Sequence, residues 1–185
     1  STRKESSAAS DVYKRQNQTP TIFVSSLSQN NYEDKETFFS KLKDFIDELY
    51  QSSNILFLPQ WLPKKAWYFG GAYDINLFST YEDIELIKKY NLQICLDIAH
   101  LIMSANSAEE DWKLWHKKLK QYTKHYHLSD SYGTDGEGVD FGKGELGDPK
   151  KIISETKVKV LEVWQGHLNE FEGFKSAVKR LRKYY

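Results

Sequence analysis

Leu92–His100, LQICLDIAH, is the stretch on which the reading of the whole chain turns. Leu92–Leu96 is an apolar run too short for an ordinary helix and reads as a strand buried on both faces. It ends at Asp97 and passes into a helical stretch through Leu101 and on to AEEDWKLWHKKLKQY, where Trp112, Trp115 and Leu119 share one face. The same strand-to-helix step recurs on either side. Upstream, Thr21–Ser26 (TIFVSS) precedes the helical KETFFSKLKDFIDELY, and Asn54–Leu58 (NILFL) opens into the aromatic loop PQWLPKKAWYFGGAYDINLF before the helix TYEDIELIKKY. Downstream, Tyr126–Leu128 marks a fourth strand in TKHYHLSD, and the glycine-rich SYGTDGEGVDFGKGELGD leads to a short helix at Pro149–Glu155. Val158–Val163 (VKVLEV) is a fifth strand, followed by the closing helix FEGFKSAVKRLRKYY.

Strict alternation with short connections predicts parallel β/α units rather than a sandwich or a bundle. The expected class is α/β, as a partial (β/α)₈ TIM barrel with about five of the eight units that a closed barrel of about 250 residues contains. An open doubly wound sheet is the alternative. Against it, no G-x-G-x-x-G follows the first strand, and polar residues gather at the C-terminal ends of several strands, where a barrel carries its chemistry. Five units leave two unpaired sheet edges, so the chain by itself is expected to be prone to aggregation and inactive.

Ser1–Gln16, STRKESSAASDVYKRQ, reads back into codons that resemble an indexed sequencing adapter. It is set aside as a tail outside the fold, an expectation it shares with an ordinary polar, disordered N-terminus. The expected barrel domain is then 17–185, with the missing units upstream of Asn17. Composition narrows the function. A single cysteine in 185 residues argues against a disulfide framework and for a reducing, cytoplasmic setting, and no apolar run approaches the length of a membrane span. Twenty-six basic residues balance 26 acidic ones, leaving no overall field to hold nucleic acid or an anionic membrane.

Residues at the ends of the expected strands give Gln60, Asp97 with His100, His127 with Asp130, and Glu162 with His167. A parallel barrel turns these ends to one face, where an Asp, a His and a Glu make an oxygen and nitrogen set suited to Mn²⁺, Mg²⁺, Co²⁺ or Zn²⁺. Each has a plainer reading. Asp97 can cap the following helix, His100 can be a satisfied core histidine, and either His125 or His127 can simply pack. Glu162 is the hardest to dismiss, because a carboxylate within VKVLEVW faces desolvation unless it is paired, protonated or bound to a metal. The glycine segment lacks the phosphate-loop and EF-hand spacings, leaving a loop that closes over a ligand or a plain surface loop. Trp61, Trp67 and Tyr68 can stack on a sugar ring or cover the barrel mouth. The basic residues of the last helix, Lys175 to Lys183, read as a solvated face.

The series ICLDIAH, then HYHLSD with a glycine loop ending GKGEL, then VLEVWQGH resembles the sugar phosphate isomerase/epimerase group of xylose isomerase-like barrels. The likeness covers roughly the C-terminal two thirds of such a barrel. It implies metal ligation by Asp97, His127 and Glu162, a substrate or metal contact for His100, and a closing G-x-G-E element at Gly142, Gly144 and Glu145. The group usually supplies a further carboxylate ligand from an earlier strand, and there this chain has Gln60. An amide can coordinate a hard cation but cannot accept a proton. Dehydration, aldose–ketose isomerisation with one base, and binding without turnover all remain open.

The expected function is that of a metal-dependent isomerase or epimerase of a sugar or sugar phosphate. Glu162 and His100 would be the catalytic residues, Glu162 as ligand and base; Asp97 and His127 would be ligands, and Gln60, Trp61, His100, Asp130 and His167 substrate contacts. The rival expectation is a silent sugar-binding barrel domain associated with surface-carbohydrate biosynthesis. An endonuclease relative of the same barrel group is the weakest, given the balanced charge.

Overall fold

The computed structural model describes residues 21–24, 34–68, 71–154 and 157–184. Ser1–Gln16 lies outside these residues. Five parallel strands form its inner layer: β1 (Thr21–Val24), β2 (Leu56–Pro59), β5 (Ile94–Asp97), β6 (Thr123–Leu128) and β9 (Val158–Leu161). Register fixes their order. Thr21 pairs with Leu56, Gln60 bridges to Cys95, Asp97 pairs with His127, and Leu128 pairs with Leu161. Spatial order therefore follows chain order, β1-β2-β5-β6-β9, without the reversal that defines a doubly wound sheet. This is the singly wound arc of a TIM barrel, not closed into a ring among the described residues.

Helices α1 (Lys35–Ser53), α2 (Tyr81–Tyr90), α3 (Ile98–Ser107), α4 (Trp112–Leu119), α5 (Lys150–Ile153) and α6 (Leu168–Leu181) make the connections. Right-handed crossovers place such helices on one side of a parallel sheet, and α1 packs on α2, which packs on α4. Their ends are written in the sequence. Asp34 caps α1 by accepting from Thr37 N at 2.9 Å, and Asn54 ends it in the left-handed region. The buried Asp83 accepts from Thr80 N at 2.9 Å and from Lys35 Nζ at 3.1 Å, binding the start of α2 to α1.

Alternation along the strands sorts the side chains. Ile94, Leu96, Tyr126 and Leu128 join Ile84, Ile87, Leu101, Trp115 and Leu119 in the core between sheet and helices. Cys95, Asp97, His125 and His127 occupy the alternate positions of the same strands. Helix α3 is buried from Ile98 through Ala105 because α4 and strands of the two long loops also pack against it.

The two long loops contain strands that the sequence reading did not anticipate. In the aromatic loop, β3 (Lys65–Tyr68) and β4 (Gly71–Asp74) pair antiparallel. In the glycine segment, β7 (Asp130–Tyr132) pairs antiparallel with β8 (Gly136–Val139). Both follow the C-terminal ends of barrel strands. The fifth strand stops at Leu161, one residue before Glu162, and no helix of the described residues is long and apolar enough to cross a membrane.

Candidate metal centre and active site

Three strand ends bring Asp97, His127 and Glu162 together. Asp97 is the last residue of β5 and its register partner on β6 is His127, while Glu162 N donates to Leu128 O at 3.1 Å just past β9. One ligand atom from each of the three lies within 4.8 Å of the other two. His127 Nδ1 is 2.6 Å from Glu162 Oε2 and 3.8 Å from Asp97 Oδ2. Two carboxylates and an imidazole in this proximity fit a divalent cation of hard or borderline character.

Asp97 serves two elements at once. Its Oδ1 accepts from His100 N at 3.1 Å and caps α3, while its Oδ2 faces His127 and lies 3.6 Å from His100 Nδ1. The capping reading of this residue is met by its geometry, and its second oxygen is left facing the cluster. His100 lies between two acceptors, Trp61 O at 3.0 Å from Nδ1 and Glu137 Oε1 at 2.8 Å from Nε2. A ring with an acceptor at each nitrogen donates twice only when doubly protonated.

The electrostatics follow from this crowding. Burial raises the Asp97 carboxyl to about 6, with the Glu162 charge adding to the effect. Burial opposes the charged form of His100, yet Asp97 and Glu137 together raise it to about 9. His127 is likewise held well above its ordinary value, its contacts with Cys95 and Glu162 outweighing burial. Glu162, only partly withdrawn from water, is lowered to about 2, chiefly by the His127 contact. His125 lies beside His127, ring centroids 5.3 Å apart, and burial lowers it to about 3, so it is a neutral ring below the cluster.

Other residues expected at the site lie elsewhere or act differently. The Trp61 ring is fully buried, edge-on to Trp115 at 6.0 Å, and has no face open to a sugar; only its carbonyl reaches the site. The side chains of Trp67 and Tyr68 lie outside the described residues. Asp130 is also fully buried and organises the glycine segment, its Oδ1 accepting from Ser131 N and Leu146 N and its Oδ2 from Gly142 N and Gly144 N, all at 2.8–2.9 Å. Those bonds occupy the carboxylate, which is a loop anchor rather than a sugar contact. Glu145 accepts from Gly133 N at 2.7 Å and Asn106 Nδ2 at 3.0 Å, tying the segment to α3. Gln60 is half-buried just past β2, where its backbone bridges to Cys95, and His167 is exposed at the start of α6.

Glu162 joins the group by a different route from the one its sequence suggested. Its side chain is 56% exposed, so desolvation within a strand does not single it out; its contact with His127 does. Glu137 is the functional candidate that sequence reasoning missed. Its only local mark is a carboxylate between two glycines in Gly136-Glu137-Gly138, a pattern with no periodicity to exploit.

The family model described as "Xylose isomerase-like TIM barrel" matches residues 11–184, and the chain belongs to that family. Among solved structures, it is similar to the apo form of the 3-keto-D-glucoside 4-epimerase YcjR from E. coli, with a TM-score of 0.62 and 14% identity over 88% of this chain and 63% of that one. It is also similar to the probable 3-DHS dehydratase AsbF, involved in petrobactin synthesis, from Bacillus anthracis, with a TM-score of 0.57 and 17% identity over 98% of this chain and 69% of that one. The chain thus spans less than two thirds of the epimerase's length. No curated protein matches it in sequence.

Proposed function

We propose that this chain carries the metal-binding side of a divalent-metal-dependent isomerase or epimerase acting on a sugar or sugar phosphate through an enediolate. The observation that carries the reading is the convergence of Asp97, His127 and Glu162 at three consecutive strand ends. The comparisons support its chemistry. A 4-epimerase acting on a 3-keto sugar inverts a carbon adjacent to a carbonyl, whose proton is the acidic one.

Asp97, His127 and Glu162 would hold Mn²⁺, Mg²⁺, Co²⁺ or Zn²⁺, whose contribution when bound is to polarise a carbonyl and its neighbouring hydroxyl. Glu162, the most exposed of the three, would take the proton from a carbon next to a substrate carbonyl. His100, with Nδ1 fixed on Trp61 O, would contact substrate oxygens through its Nε2 edge, the N–H there being shared with Glu137 Oε1. Gln60 orients or coordinates through its amide oxygen without accepting a proton.

The test is exchange of solvent deuterium by the full-length protein, with Mn²⁺ present, into the carbon-bound positions of aldoses, ketoses and their phosphates, followed by proton NMR. Incorporation that is lost in Glu162→Gln supports the enzyme; a Mn²⁺-loaded protein that labels none of them removes its main support. Gln60 favours a second reading, a sugar-binding barrel domain without turnover. That domain would bind sugar without metal and be indifferent to Glu162→Gln.

A further inference from the structure

The β7–β8 hairpin brings Glu137 to His100 from the glycine segment that follows β6, whereas His100 itself stands on α3, which follows β5. We propose that Glu137 is a positioning residue: with the Trp61 carbonyl it grips His100 at both ring nitrogens and fixes the orientation in which that ring meets the substrate. The substrate half of this statement rests on the isomerase reading above; the grip itself does not.

The hairpin does not need Glu137 to stay in place. Asp130 gathers Gly142, Gly144 and Leu146 beneath it, and Ser131 Oγ donates to Ala99 O at 3.1 Å. Asn106 Nδ2 donates to Gly133 O at 2.8 Å. On the other side, Trp164 N donates to Gly138 O at 2.9 Å. That approach is close enough that a Cβ at Gly138, whose φ is +68°, would meet the Trp164 side chain. With so many independent anchors, an ion pair that is 43% exposed on its glutamate side adds little to stability. Its effect falls on the ring it touches. His100 is 6% exposed and has no room for a water shell on every side, so the acceptor at Nε2 determines how the ring is held.

The experiment compares the full-length wild-type protein with its Glu137→Gln and Glu137→Ala variants. Selective ¹⁵N labelling of histidine reports the His100 ring nitrogens, Mn²⁺ titration reports the metal site, and deuterium exchange into sugar reports turnover. At one fixed pH both variants are expected to shift the His100 Nε2 resonance, Glu137→Ala more, while the thermal midpoint stays near that of wild type and Mn²⁺ affinity changes by less than about twofold. Exchange is expected to fall about tenfold in kcat with KM nearly unchanged, the size typical of losing an outer-shell partner. Coincident His100 resonances in wild type and both variants would overturn the proposal, as would loss of Mn²⁺ binding in Glu137→Gln. If Glu137→Ala does not fold, Glu137→Gln alone decides. If wild type binds Mn²⁺ yet exchanges no deuterium, the isomerase reading falls, while the ring resonances still settle the grip.

Discussion

Replacing Asp130 by asparagine tests the account of the glycine segment most directly. Each carboxylate oxygen receives two backbone N–H groups, Oδ1 from Ser131 and Leu146 and Oδ2 from Gly142 and Gly144. An asparagine must turn its NH₂ toward one of these pairs and set donor against donor. It will turn toward Gly142 and Gly144, because those residues are exposed and half-buried and water can take over their N–H groups, whereas Leu146 and Ser131 are buried. A bond to a charged acceptor contributes about 1.5–3 kcal/mol, so two such losses with partial rehydration come to about 3 kcal/mol. Asp130→Ala removes all four bonds and is expected to cost more, up to the free energy at which the segment detaches from the barrel. Urea denaturation reads the global cost, and amide hydrogen exchange at Gly142, Gly144 and Leu146 reads the local one. If Asp130→Asn changes stability by less than about 0.5 kcal/mol and leaves those three amides equally protected, the anchor reasoning is refuted.

Metal affinity should depend on pH with a definite sign. Without metal the Asp97 carboxyl titrates at about 6 and His127 well above its ordinary value, so a cation must displace protons from both. Mn²⁺ affinity is therefore expected to rise from about pH 5 through pH 7 and to keep rising as His127 deprotonates, with proton release visible by calorimetry in buffers of different ionisation enthalpy; a flat profile would contradict it. Two glycine substitutions are expected to diverge. Gly144→Ala thrusts a Cβ at the Ser131 carbonyl and the Asp130 carboxylate and should destabilise by more than about 2 kcal/mol in urea. Gly147→Ala meets open space and should cost only the left-handed φ of +68°, about 1–2 kcal/mol, and equal losses would refute the distinction.

The barrel arc was legible because its signal is local. NILFL, LQICL, the HYHL of β6 and VKVL are apolar or alternating runs followed by helical periods, and all four strands lie within or within a few residues of these runs. The approach of Asp97, His127 and Glu162 was legible because parallel strands share an end, so their last residues meet whatever lies between them in sequence. The hairpins were not, since antiparallel pairing inside a glycine-rich loop rests on turns and backbone bonds rather than on apolar spacing. Trp61 and Asp130 misled for related reasons. An aromatic residue in a loop and an acid after a strand look accessible in sequence, but the neighbouring turns fold over them: Trp115 covers the one and four amides enclose the other. Glu137 carries its meaning only through a contact 37 positions away, which no window of sequence spans.

The carboxylate of Asp97 places one oxygen on the amide that opens α3 and turns the other toward His127 and Glu162. On the proposed metal reading, helix nucleation and ion capture draw on a single group, and a gain for either process is felt by the other. Loading the protein with cation should steady the first turn of that helix, and unwinding that turn should loosen the cation, so the amide of His100 becomes a reporter of occupancy from within the backbone.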